Sequence, residues 1–151
     1  MKIDNAIDLF EDLKTRTERQ SEIRIYTNFQ DLLISIKKKG LEEKQVIAIE
    51  EKLGSLDLNS NPNRPKRFYR KKFNALLSFL QKEFSYVKEA YYKGLYMALG
   101  MSFGVAIGTS IGVSIDQSNG IALGMVIGMT LGIVIGYAKD KEAEKQGLVL
   151  K

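Results

Sequence analysis

Six cations fall within nine residues of this chain. The run "NRPKRFYRKK" carries Arg64, Lys66, Arg67, Arg70, Lys71 and Lys72, interleaved with Phe68 and Tyr69. Guanidinium and ammonium groups at this density attract phosphates and carboxylates. The run therefore reads as a site for an anionic ligand: a nucleic acid, a nucleotide, a lipid headgroup or an acidic protein. The alternative is the solvated start of a basic helix. A basic first turn opposes the helix dipole, which favours a ligand. Two acidic pairs, Glu42–Glu43 and Glu50–Glu51, have the residue type of acid/base catalysis. Lysines share their segment, and exposed helix faces account for these pairs more simply.

Three further polar residues lie in apolar surroundings. Ser102 and Thr109 are seven residues apart, hence on one helical face, and would line a polar path in a pore. Each would equally well bond the carbonyl four residues back or a neighbouring helix. Asp116 is the single charge between residues 94 and 138. It suits a cation site at a pore mouth, and it also suits a turn. The chain has no cysteine and no histidine. That removes disulfides, thiolate chemistry, the commonest metal ligand and the usual general base. No catalytic residue, cofactor or metal site is expected.

The elements that must position these residues follow from charge and periodicity. Residues 1–93 hold 19 Lys/Arg and 14 Asp/Glu, and residues 139–151 are charged again. Acids within the first apolar run exclude a signal peptide, and no lipidation box is present at either end. Ile3, Ala6, Ile7, Phe10 and Leu13 predict one helix. Ile25, Phe29, Leu32, Leu33 and Ile36 predict a second, stopped by "KKKG". Val46, Ile47, Ile49 and Leu53 predict a third, ending at Gly54. "SLDLNSNPNRP" reads as a loop, and Pro65 as the opening of a fourth helix. Phe73, Leu76, Leu77, Leu80, Phe84 and Val87 share one face of that helix. No clear break follows, so the fourth helix is expected to run on into the apolar region. A continuous helix from Pro65 to Lys93 would span about 42 Å and hold the basic run away from a bilayer.

The apolar region splits at "DQSNG" into residues 94–115 and 121–138, each about the length of one membrane crossing. Asp116, Gln117, Ser118 and Asn119 read as its turn. Tyr91, Tyr92, Tyr96 and Tyr137 are placed for an aromatic belt at one interface. Lysines flank the outer ends (Lys88, Lys93, Lys139, Lys141 and Lys145) and none lies in the turn. The positive-inside rule then puts both termini in the cytoplasm. The alternative is a soluble protein with the hairpin as a buried core, and no other segment is large enough to cover it.

Within this region glycine recurs every fourth residue, at 100, 104, 108 and 112 and again at 120, 124, 128, 132 and 136. Glycine is a poor helix former, so a helical stripe of it implies close backbone approach. Each four-residue step drifts about 40°, and the groove winds slowly round the helix. A large apolar residue precedes most of these glycines, as at Phe103, Ile107, Ile111, Leu123, Ile127, Leu131 and Ile135. "GMSFGVAIGTSIG" and "GIALGMVIGMTLGIVIG" resemble the glycine-zipper transmembrane proteins with their GxxxGxxxG pattern. That group includes oligomeric channels, pore formers, simple anchors and many bacterial membrane proteins. The resemblance implies close helix packing, with self-association as a homo-oligomer, lipid as the surroundings and a bacterial inner-membrane location.

The resulting expectation is an all-α protein. It comprises a cytoplasmic helical domain (1–93), a glycine-zipper transmembrane hairpin (94–138) and a charged tail (139–151). Two functions fit: a small channel or pore-forming effector controlled by the helical domain, or a membrane-anchored adaptor whose basic domain binds a partner.

Overall fold

The computed structural model describes residues 1–60, 62–112 and 117–150, and Asp116 lies outside them. The described residues form α1 (Ile3–Thr15), α2 (Gln20–Lys38), α3 (Glu43–Ser55), α4 (Pro65–Phe84), β1 (Val87–Lys88), α5 (Tyr91–Gly112), α6 (Gln117–Lys145) and β2 (Val149–Leu150). The chain divides into two compact bodies. One is Met1–Tyr86 with the last residues from Leu150, and the other is Val87–Val149. The fold is the expected all-α one, a helical domain followed by a hairpin of two long apolar helices.

The first body is built on rings. Phe10 of α1 stacks on Phe29 of α2 with centroids 4.3 Å apart. Tyr69 of α4 meets Phe10 and Tyr26 edge-on at 5.7 and 5.2 Å. Phe73 meets Phe29 edge-on at 5.4 Å. Such tilted and edge-to-face pairs add to the burial of the rings themselves. Ile49 and Leu53 complete the core from α3. The segment read as a plain loop contributes too: Leu56 and Leu58 are buried, and the Tyr69 hydroxyl donates to the Leu58 carbonyl at 3.0 Å. Ile47, one of the residues that predicted α3, is half exposed, and α3 runs one residue past Gly54.

The expected continuous helix from α4 into the apolar region is a correction. α4 stops at Phe84, and Ser85 takes left-handed geometry at φ 57°. Its N–H returns to the Gln81 carbonyl, and that of Tyr86 to Leu80. Ser85, Tyr86 and Val87 are all weak helix formers, which lowers the cost of the break. Val87 therefore leaves the α4 face for β1, and a second left-handed residue, Ala90 at φ 59°, turns the chain into α5. The distance argument built on one long helix falls with it.

The second body is the hairpin and its ends. α6 runs through the boundary expected at residue 138, so most of the "charged tail" is helix. Gly147, at φ 69°, ends it. Its N–H bonds the Glu144 carbonyl and that of Leu148 bonds Ala143. This is the Schellman pattern, with glycine where a Cβ would be strained. β2 then pairs with β1, and the Val87 N–H donates to the Leu148 carbonyl at 3.0 Å.

The ring core has a pH consequence. Burial, with smaller contributions from Glu22 and Tyr69, pushes the Tyr26 phenol up to about 12. Burial, then Asp57, raises Tyr69. A raised phenol binds its proton more tightly in the folded state. That stabilisation is complete below the unfolded value of about 10 and is lost as pH rises toward 12. Urea unfolding of the full chain in neutral micelles, followed by circular dichroism, should therefore weaken above about pH 10. A Tyr26→Phe/Tyr69→Phe variant should lose less over the same range. At neutral pH, Tyr69→Phe alone should cost about 1 kcal/mol for the lost hydrogen bond.

Candidate functional site

Two features carry functional weight, one in each body. In the hairpin, the glycine stripes of α5 and α6 face each other. A Cβ built on Gly104 would collide with the Gly124 carbonyl oxygen and lie 3.1 Å from the Gly128 Cα. One on Gly108 would meet the Gly120 carbonyl and lie 3.1 Å from the Gly124 Cα. One on Gly100 would meet the Gly128 carbonyl and lie 3.1 Å from the Gly132 Cα. Gly120 lies against Gly112, Gly132 against Tyr96 and Met97, and Gly136 against Tyr92 and Lys93. Each step of four forward along α5 is matched by a step of four back along α6. All nine stripe glycines thus serve contacts within one chain.

The large residues beside the glycines point outward. Phe103 is 67% exposed, and Ile107, Ile111, Leu123, Ile127, Leu131 and Ile135 are exposed as well. They wall an apolar groove of about 450 Å³ with glycine at its floor. Tyr91–Gly112 and Ser118–Lys145 are long and apolar enough to cross a membrane, with mean hydropathies of 1.4 and 2.1. Only 11% of the apolar stretch of each is buried within the chain. Contiguous apolar surface of this kind suits a membrane or a partner protein.

Four hydroxyls of the hairpin are turned back on their own helices. The Ser102 hydroxyl donates to the Ala98 carbonyl at 2.9 Å, and that of Thr109 to Val105 at 2.8 Å. Ser110 and Thr130 do the same four residues back. Ser102 and Thr109 thus each commit the hydroxyl proton to their own helix. Gln117, Ser118 and Asn119, read as part of the turn, belong to the first turn of α6. Tyr92 and Tyr137 lie at the same end of the hairpin, because Tyr92 is opposite Gly136.

One residue of this body was missed. Asp140 accepts hydrogen bonds from the N–H groups of Tyr92 and Lys93, both at 2.9 Å. These are free donors of the first turn of α5, and a carboxylate there also suits the helix dipole. The signal was in the sequence: Asp140 stands four residues after Gly136, on the stripe that faces α5.

In the helical domain, the basic run meets the start of α2. Arg64, Lys66, Arg67 and Arg70 line a groove of about 700 Å³ with Arg19 and Glu22. Lys66 and Arg70 also line a neighbouring groove of about 630 Å³ with Arg24 and Asn28. Lys71 and Lys72 line neither, and the Lys72 ammonium sits 4.9 Å over the Phe68 ring. Tyr69 is buried and Phe68 partly so. The one carboxylate in the larger groove, Glu22, is 7% exposed and accepts from Thr17 and Arg19. Among the described residues, Arg24, Arg64, Lys66, Arg67 and Arg70 have no ion pair. Arg19 and Arg24 were not singled out beforehand, since only the tertiary fold sets α2 beside α4.

The acidic pairs have structural work. Glu42 forms a capping box with Gln45 at the start of α3. Glu50 accepts the Ile3 N–H at the start of α1 at 3.1 Å. Glu43 and Glu51 are exposed.

No family model matches the chain, and comparison with curated proteins and with solved structures finds no match either.

Proposed function

We propose that this chain is a membrane-anchored binding protein: an apolar hairpin fixes a helical domain at the membrane, and that domain captures a ligand or partner. The observation that carries this reading is the closure of the hairpin on itself. Its glycine faces are matched to each other, and the hydroxyls of Ser102, Thr109, Ser110 and Thr130 bond their own helices. The surface left over along the described helices is mainly aliphatic and aromatic. A pair of helices in this state is at home in lipid without further protein. The charge flanks favour an orientation with both termini in the cytoplasm, and the resemblance to glycine-zipper proteins favours the inner membrane of a bacterium.

A second reading, a homo-oligomeric pore gated by the helical domain, is favoured by one observation. The ridge-walled apolar groove offers a neighbouring copy a hole for its knobs. Proteoliposomes separate the two readings. The purified chain should release no entrapped ions beyond protein-free vesicles. Sustained flux would replace the anchor with the pore.

The glycine contacts predict which substitutions matter. Gly104→Leu or Gly124→Leu should force the helices apart, because the obstacle is backbone rather than a flexible side chain. A disulfide engineered between residues 101 and 129 should then form in the native chain and fail in either variant. Ile127→Ala, on the exposed ridge, should leave it intact. Crosslinked ladders that depend on Ile127 would support the oligomer instead.

Orientation is testable because the chain has no cysteine of its own. Ser118→Cys in intact cells should react with a membrane-impermeant thiol reagent. Ser55→Cys should react only after permeabilisation. The reverse pattern would overturn the assignment.

A further inference from the structure

We propose that the groove between the starts of α2 and α4 is a binding site for a soluble oligophosphate, a chain of linked phosphate groups such as a nucleoside triphosphate carries. The inference supplies the ligand class for the binding domain proposed above. It rests on that reading only for the protein's location.

The argument starts from charge. Arg64, Lys66, Arg67 and Arg70 converge on one groove, and among the described residues none has an ion pair. Four unpaired like charges in one recess repel, and nothing within the groove offsets them. Glu22 is occupied by Thr17 and by Arg19. Elsewhere in this body Lys14, Arg16 and Lys37 find carboxylates, while Lys38, Lys44, Lys52 and Lys82 have no ion pair among the described residues either. The groove is a local exception in gathering four such cations in one recess.

Helix ends sharpen the exception. The starts of α1, α3 and α5 have side-chain carboxylates on their backbone N–H groups, from Glu50, Glu42 and Asp140. The starts of α2 and α4 have no side-chain cap and their cap positions are Arg19 and Arg64; α2 keeps one acid, Glu22, in its first turn, and α4 has none. Both of those residues line the groove. Cations at a helix start are unfavourable by dipole, and a bound anion reverses the sign. Three of the four unpaired groups are arginines, whose planar forks match phosphate oxygens in pairs.

Two observations favour a small oligophosphate over a nucleic-acid strand. The aromatic residues of the run, Phe68 and Tyr69, are turned into the domain, and Tyr69 hydrogen-bonds the backbone there. They are not presented for stacking on bases, which strand binders rely on. Unpaired cations continue past the groove only to Arg24, Lys71 and Lys72 nearby, while α1 presents Asp4, Asp8, Glu11 and Asp12. That is a recess of positive charge, not a stripe along which a polymer would lie.

The test uses the full chain in uncharged detergent micelles at low salt, titrated calorimetrically with inorganic tripolyphosphate and with ATP. Saturable binding of tripolyphosphate is expected. Comparable affinity for ATP would assign recognition to the phosphates alone, and tighter ATP binding would add a nucleoside contact. Arg67→Gln/Arg70→Gln should weaken binding at least tenfold, about the effect of one lost charge-assisted hydrogen bond. Lys71→Gln/Lys72→Gln removes the same charge outside the groove and should change affinity little. Without ligand, the arginine variant should unfold at higher urea, since it relieves repulsion. The proposal is overturned by absent tripolyphosphate binding, by equal losses in the two variants, or by duplex DNA binding more tightly than tripolyphosphate. A lower urea midpoint for the arginine variant would also overturn it, because the cations would then serve the fold. None of these outcomes alters thiol labelling or ion flux, so failure here is distinct from failure of the anchor.

Discussion

The contact between facing glycine backbones sets most of the hairpin. Lipid offers little reward for bringing apolar helices together, so the attraction must come from dispersion and weak Cα–H···O contacts at short range. Those terms fall off within an ångström, and any Cβ on the stripe would meet an opposing carbonyl. The register of α5 against α6 is thereby fixed in steps of four. Everything at the open end follows from it. Tyr92 comes opposite Gly136, and one further step puts Asp140 at the start of α5. The carboxylate satisfies donors that neither lipid nor a proline-free first turn would satisfy. Large side chains on the remaining faces are left to solvate the pair in hydrocarbon.

Three carboxylates have the same part in the two bodies, the capping of a helix start. Glu50, Glu42 and Asp140 each sit at the start of a helix, where backbone donors and the dipole favour negative charge. Glu50 and Asp140 do so from a different helix, so each cap is also a tertiary link. Lys37 with Asp4 ties α2 to α1 through an exposed pair, worth at most about 1 kcal/mol. The rings of Phe10, Tyr26, Phe29, Tyr69 and Phe73 supply the burial that such surface pairs lack.

The sequence displayed the helices wherever one apolar stripe was uninterrupted. Phe10, Phe29, Leu33, Ile36, Leu76 and Leu80 all fall inside as their spacing implied. The break after Phe84 was hidden because its left-handed residues are Ser85 and Ala90, and neither is the glycine that ordinarily marks such a turn. Leu56 and Leu58 were hidden because burial inside a loop has no period. The basic run was visible as composition, but its partners Arg19 and Arg24 lie more than forty residues away, and only packing of α2 on α4 joins them. Asp140 was readable in principle, since it continues the glycine phase past the last glycine.

The glycine pattern also shows how one motif supports opposite conclusions about assembly. A GxxxG stripe on a lone helix must find its match in another chain, and then it implies an oligomer. Two stripes joined by a short turn can find their match in each other at high effective concentration. Closing the hairpin first removes the deepest part of the groove from any intermolecular contact. What remains for a second copy is a shallower channel between ridges of Phe103, Ile107, Ile111 and their counterparts on α6. Association there would compete with acyl chains that fill the same space without losing the freedom two proteins lose. On the proposed anchor reading, specific recognition falls to groups that lipid does not mimic, and the unpaired arginines of the helical domain are such groups.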